Sequence, residues 1–299
     1  MTRIIQFPHP SGEEHANNIV NGVKRWNDDR HKRNFIVSSG EAITKMGGTP
    51  QRFDTISFWG EWEPEARVVE TFDGNSPARR LIKPLFPKKM PAPRGGRCCA
   101  NTDPFVFGEH FKYSNCRQRN KNGKVGTMQT LSAGSLILFG SVVYENGKPK
   151  KEFLLDTVFV TKDNGHPFVA NQYGKELQSA LKLNGADADF EAATLKPLAL
   201  QAGNSEFTLY QGQSYWENKD YFSFVPCDKE GKAFRKVKLT PDIVSGLSAN
   251  ARNNTILGEP EKDGSDPREI WRAVVVHVLK QGLSLGVRFD NVARNQGGN

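Results

Sequence analysis

The stretch Gly134-Ser135-Leu136-Ile137-Leu138-Phe139-Gly140-Ser141, followed after Glu145-Asn146-Gly147-Lys148 by Phe153-Leu154-Leu155-Asp156-Thr157-Val158-Phe159-Val160, decides the fold class. Both runs are rich in β-forming residues, and the Asn-Gly pair between them suits the tight turn of a hairpin. Working upstream, Ile4 to Phe7, Asn34 to Ser38, Phe53 to Trp59 and Arg67 to Phe72 also read as strands. The last two are joined by Gly60-Glu61-Trp62-Glu63-Pro64. Phe105 to Phe107 and the stretch around Tyr113 read as short extended segments.

Helical patterns flank these strands. Ser11-Gly12-Glu13-Glu14 has the form of a capping box, and Ala16, Ile19, Val20, Val23 and Trp26 follow at helical spacing, which predicts a helix ending at the charged run Asp28 to Arg33. Downstream, the pattern predicts a helix over Lys175 to Leu183, strands over Phe207 to Gln211 and Tyr221 to Val225, and a short helix after Thr240-Pro241. A final helix is capped by Asp266, has Pro267 at its first position, and stops at Gly282. The fold class is therefore α+β: a β-rich mixed sheet with flanking helices and a C-terminal α/β extension. Turn residues Asp163-Asn164-Gly165-His166-Pro167 place a boundary between residues 1–165 and 166–299, with one continuous domain as the alternative.

Composition narrows the setting. The 299 residues are 37% apolar, and no apolar run approaches the ~20 residues that a membrane-spanning helix requires. The N-terminus lacks the pattern of a secretory signal, so the expected location is the cytoplasm, away from membranes. Four cysteines, at 98, 99, 116 and 227, form no disulfide framework and no C-x-x-C pair. A zinc set drawn from Cys98, Cys99, Cys116 and a histidine is weighed against this spacing, and the expectation is no metal and no cofactor. Lys and Arg number 41 against 33 Asp and Glu, with an isoelectric point near 9.3, which favours an anionic partner such as nucleic acid or a nucleotide. Oligomeric state is left open.

Three stretches are candidates for a site. In Phe58-Trp59-Gly60-Glu61-Trp62-Glu63-Pro64, two indoles flank a carboxylate: broad faces on which a base stacks, beside an acceptor for its N–H groups. The bland alternative is that both rings belong to the core. In Tyr113-Ser114-Asn115-Cys116-Arg117-Gln118, groups that donate and accept stand next to a cation that can fork onto phosphate; the alternative is a turn-rich surface loop. Between Ser76 and Arg97, prolines and the cations Arg79, Arg80, Lys83, Lys88, Lys89, Arg94 and Arg97 occur without any acidic residue, reading as a long basic loop that follows phosphates or is merely solvated. His9, fixed between Pro8 and Pro10, is kept as a candidate functional histidine. Phosphate-loop, nucleophile-elbow and zinc-deaminase patterns are absent.

The paired runs 134–141 and 153–160 resemble the central hairpin of PUA-like domains of the EVE and ASCH type, and are similar to nucleotide-modification-associated domains proposed near phage DNA-modification genes. The resemblance implies a small PUA-like barrel and an aromatic cage for a modified or flipped base. Trp59, Trp62 and Phe139 would stack in that cage, and Asp156 and Asn115 would hydrogen-bond. The reading expected first is thus a nucleic-acid or nucleotide-binding protein in a DNA-modification, restriction or phage-related setting. Its ligand contacts would be Trp59, Glu61, Trp62, Asn115, Arg117, Phe139 and Asp156, and its phosphate contacts Arg79, Arg80, Lys88, Lys89, Arg94 and Arg97. The second is a transferase or glycosidase-like enzyme acting on a nucleotide, with Glu61, Asp156 or His9 as acid–base candidates. The third is a phage accessory or structural protein without a small-molecule pocket.

Overall fold

The computed structural model describes residues 1–9, 18–27, 31–74, 76–90, 100–119 and 123–292. In chain order the strands are β1 (Ile4–Pro8), β2 (Ile19–Val20), β3 (Val23–Lys24), β4 (Arg33–Ile43), β5 (Gln51–Glu61), β6 (Ala66–Thr71), β7 (Arg80–Pro84) and β8 (Lys112–Tyr113). They continue as β9 (Leu136–Glu145), β10 (Lys148–Val160), β11 (His166–Val169), β12 (Glu206–Gln211), β13 (Val225–Asp228), β14 (Val237–Leu239), β15 (Thr255–Gly258) and β16 (Ser284–Phe289). The architecture is mixed α+β, dominated by strands, as expected.

The hairpin of β9 and β10 forms as expected, with Asn146 and Gly147 both at positive φ in its turn. It is the centre of a five-stranded sheet ordered β14-β10-β9-β1-β15, in which β1 runs parallel to β9 from Ile4 opposite Leu136 to Pro8 opposite Gly140. Successive side chains of a strand point to opposite faces, and here both faces are covered. Ile5, Phe7, Ile137, Phe139 and Phe159 enter one core with Ile36, Ile56, Phe58 and Ile82 of the second large sheet. Ile4, Leu136, Leu138 and Val158 pack instead with Trp271, Val274, Val275 and Val278 of the C-terminal helix Pro267–Lys280. Double-sided burial is the reason these strands read as near-continuous apolar runs.

The second large sheet is ordered β16-β13-β5-β4-β7-β6-β3-β2, and β16 also pairs with the distal end of β4. A three-stranded sheet, β11-β12-β8, completes the fold. Strands from beyond residue 165 enter both large sheets: β14 and β15 edge the first, and β13 and β16 extend the second.

Several local expectations are corrected. Residues 18–24 form no helix: Ile19–Val20 pairs with Val23–Lys24 across Asn21 and Gly22, both at positive φ, and β3 then joins β6. The apolar spacing fitted a helix, but an Asn-Gly pair between β-branched residues makes a two-residue hairpin with an available sheet edge. Ser11 to Glu14 and Ala16 lie outside the described residues. The basic segment is not one loop. Arg80–Pro84 is a strand parallel to β4 with Leu81 and Ile82 buried, Lys88 and Lys89 follow it on the surface, and Arg94 and Arg97 lie outside the described residues.

Helix over 175–183 is reduced to the single turn Tyr173–Glu176, and the segment after Pro241 is a turn. A helical run through Ala188–Phe190, Glu191–Leu195 and Lys196–Ala202, and strand β16, were not anticipated. The last helix matches: the Asp266 side chain accepts from the Arg268 N–H and Pro267 opens the first turn. No helix among the described residues is long and apolar enough to cross a membrane.

Candidate functional site

The two tryptophans are core residues, and they belong to different clusters. Trp59 is 2% exposed, packs on Phe35 in a cluster with Ala78 and Leu81, and donates Nε1–H to the Phe234 carbonyl at 2.8 Å. Trp62 is wholly buried against Phe105 and Phe107 in the main core, its Nε1–H donated to the Glu65 carbonyl at 2.9 Å. Neither ring offers a free face to a base, so the expected stacking pair is corrected. Gly60 and Pro64 do not hold the indoles at the surface, because β5 runs on to Glu61 and carries Trp59 into the sheet. Phe139 is likewise core, in contact with Phe7, Tyr113 and Phe159.

Glu61, between the two indoles, is where polar chemistry collects. It ends β5 fully buried at its side chain, while Arg33 opens the adjacent β4 directly opposite it. The Arg33 guanidinium donates from Nη1 to Glu61 Oε2 and from Nε to Asp156 Oδ2 at 2.9 Å. Asp156, on β10, also pairs with Lys236 at 2.7 Å, whose ammonium lies over the Trp59 ring. Glu61 Oε1 accepts the Asp103 N–H at 2.9 Å and meets His31 Nδ1 at 2.9 Å. His31 also lies 3.5 Å from Glu63 Oε1, and at 26% side-chain exposure it carries the cluster to the surface.

His9 follows the end of β1 and is buried, with its N–H on the Gly140 carbonyl at 2.6 Å. Its Nε2 lies 3.6 Å from Glu61 Oε2 and 3.9 Å from Cys116 Sγ, and its Nδ1 has no hydrogen-bond partner among the described residues. Burial, and then the charge of Arg33, hold this imidazole well below its ordinary pKa. The loop bearing Cys116 is organised by Asp103, whose carboxylate accepts the N–H groups of Ser114, Asn115 and Cys116 at 2.7–3.0 Å. Burial raises Asp103 despite those three donors, and burial followed by the charge of Asp103 pushes the Cys116 thiol well up. Cys116 is accordingly no activated nucleophile.

Of the residues singled out in the sequence, the structure brings together Glu61, Asp156 and His9, with Asn115 and Arg117 half-buried on the neighbouring loop. Asn115 donates to Asn101 at 3.1 Å, and Arg117 covers the Phe7 ring while donating to Asn254 at 2.9 Å. Arg79, Arg80, Lys88 and Lys89 are not part of the cluster. Arg79 and Arg80 belong to the turn into β7, and Lys88 lines a separate cavity of about 380 Å³ with Glu191 and Lys196. Sequence reasoning missed His31, Arg33 and Lys236. The charged run Asp28 to Arg33 reads as the end of a helix and so hides His31 and Arg33, and Lys236 has no local pattern to mark it.

A largely buried group of two histidines, an arginine, a lysine and several carboxylates, contributed by six separate segments, is costly to assemble, and such groups concentrate at functional sites. No protein-family model, curated protein or solved structure matches this chain.

Proposed function

We propose that this chain is an enzyme acting on a nucleotide or nucleic acid, with His31, Glu61 and His9 as its reactive centre. The observation that carries the proposal is the contact between His31 Nδ1 and Glu61 Oε1 at 2.9 Å, made by a carboxylate that Arg33 and the Asp103 N–H hold in place. A buried carboxylate on one imidazole nitrogen favours the tautomer in which the other nitrogen keeps its lone pair, which is the arrangement of a proton acceptor. His9, the second imidazole, lies with its ring centroid 5.2 Å from that of His31.

The substrate class comes from two features outside the centre. The net charge of +8 favours an anionic partner. The likeness of the β9–β10 hairpin to PUA-like and nucleotide-modification-associated domains suggests a base or nucleotide, modified ones included, in a DNA-modification, restriction or phage-related setting. In this proposal Arg117 and Asn115 meet the substrate beside the centre, and base stacking on Trp59 and Trp62 plays no part.

The test is a panel of mononucleotides and short single- and double-stranded oligonucleotides, some carrying modified bases, incubated with the protein and with His31→Ala and Glu61→Gln. Product is read by mass spectrometry, and folding is confirmed by circular dichroism. Turnover of one class of substrate that drops at least a hundredfold in folded His31→Ala is the expected result. Turnover equal in the variant and the parent removes His31 from the chemistry; no turnover and no binding across the panel removes the nucleotide.

A further inference from the structure

We infer that His9, His31 and Glu61, with Cys116 beside them, form a binding site for a divalent transition-metal ion of the zinc class. The ligand atoms of the first three all lie within 4.8 Å of one another. A tetrahedral ion with bonds of about 2.0–2.1 Å to nitrogen and oxygen sets neighbouring donors about 3.3 Å apart, and with a bond of about 2.3 Å to sulfur sets nitrogen and sulfur about 3.6 Å apart. Here His31 Nδ1 is 2.9 Å from Glu61 Oε1, His9 Nε2 is 3.6 Å from Glu61 Oε2, and Cys116 Sγ is 3.9 Å from His9 Nε2. His31 and His9 meet different oxygens of Glu61, and the three donors lie up to about 1.5 Å beyond coordination spacing, so an ion has to draw these side chains inward, with Cys116 as an outlying fourth donor.

The ligating carboxylate is also supported from behind. Each carboxylate oxygen has two lone pairs. Glu61 can therefore ligate while Arg33 and the Asp103 N–H still hold it from behind, the support that ligating carboxylates ordinarily have. His9 turns Nε2 toward Glu61 and Cys116, and its other nitrogen is available to carry the proton. The cations Arg33, Lys236 and Arg117 near the donors face four carboxylates, Asp156, Glu61, Glu63 and Asp103. Imidazole, carboxylate and thiolate together select zinc, cobalt or iron over magnesium and calcium, which take oxygen shells.

The donors come from positions 9, 31, 61 and 116, so no short-spacing motif announces them, and Cys98 and Cys99 lie outside the described residues. The inference shares its residues with the proposed centre and stands on donor placement and chemistry, whereas its place in a reaction rests on the nucleotide reading. With an ion bound, His31 is a ligand instead of a proton acceptor.

The test is cobalt(II) titration of the chelator-treated full chain, followed by visible absorption, together with metal analysis of the protein as purified. Stoichiometric uptake with the intense d–d bands of low-coordinate cobalt is expected. Cys116→Ser should retain the ion and lose the thiolate charge-transfer band. His31→Ala, at the half-exposed position, should stay folded by circular dichroism and bind cobalt at least a hundredfold more weakly. Failure of the parent to take up cobalt, or equal uptake by parent and folded His31→Ala, overturns the inference and leaves a plain ion-pair network. Cobalt uptake without turnover of any nucleotide overturns the substrate assignment alone, and turnover by chelated protein that takes up no cobalt overturns the metal alone.

Discussion

Arg33 donates from Nε to Oδ2 of Asp156 at 2.9 Å across 123 positions of sequence, with both side chains 1% exposed. Through the same guanidinium, which also reaches Glu61, the adjoining ends of β4 and β5 are tied to β10 of the other large sheet. The candidate centre thus sits where the two sheets are pinned together.

Removing Arg33 takes from Glu61 its buried cation and leaves Asp156 with Lys236 alone. Arg33→Met is expected to cost about 3–5 kcal/mol of folding stability, read as a shift of the urea unfolding midpoint at unchanged slope. A loss below about 1 kcal/mol, the range of solvent-exposed pairs, would show that water reaches this contact.

Trp59→Ala and Trp62→Ala should behave as core truncations. Each is expected to lose about 3–5 kcal/mol of stability. Any nucleotide affinity, corrected for the folded fraction, should match the parent, because neither ring has an open face. A folded Trp62→Ala that binds nucleotide tenfold more weakly would restore the stacking role.

Gly140 lies on β9, where its carbonyl holds the His9 N–H, and a methyl group there would come within 2.1 Å of the Leu154 carbonyl oxygen and 2.6 Å of the Phe153 ring. Backbone on the paired strand cannot move aside cheaply. Gly140→Ala should therefore lower the melting temperature strongly and weaken cobalt binding at the candidate centre even where it folds. Gly134→Ala, at a position with open space around the added atom, supplies the contrast, since its cost comes from positive φ alone.

Lys24 is buried and donates to the carbonyls of Trp62, Glu63 and Pro64 at 2.9–3.0 Å; burial pushes its pKa down to about 8 from the ordinary 10.5. Between these values the unfolded chain binds more protons than the folded one, so the group's penalty is full below pH 8 and is relieved as pH rises toward 10.5. Buried tyrosines and cysteines with raised pKa values work in the opposite sense at alkaline pH, so the informative quantity is a difference between proteins. The stability of the parent relative to Lys24→Met should climb between pH 8 and 10 in urea titrations. A flat difference would mean that Lys24 titrates as an exposed lysine does.

The fold was legible wherever a local pattern had only one way to be satisfied. The β9–β10 hairpin has two apolar runs and an Asn-Gly turn, and the last helix has its cap, first-turn proline and terminal glycine; both formed as expected. Residues 18–24 show the limit. Ile19, Val20 and Val23 fit a helical stripe and a two-residue hairpin equally, and the choice fell to β6, whose edge accepts β3. Leu81 and Ile82 were hidden in a basic, proline-rich segment because the sheet neighbour that buries them, β4, lies over forty positions earlier.

What the sequence determined by itself is the α+β class, the β9–β10 hairpin and the last helix, the basic charge balance, and Glu61, Asp156 and His9 as residues worth asking about. Only the tertiary structure decided that the indoles around Glu61 turn inward, and that His31, Arg33, Cys116 and Lys236 converge on it. Periodicity reports which face of a strand is buried, because neighbouring residues share a backbone. Which charged side chains end up within hydrogen-bond reach depends on the registers in which distant strands pair, and no short stretch of chain contains that information.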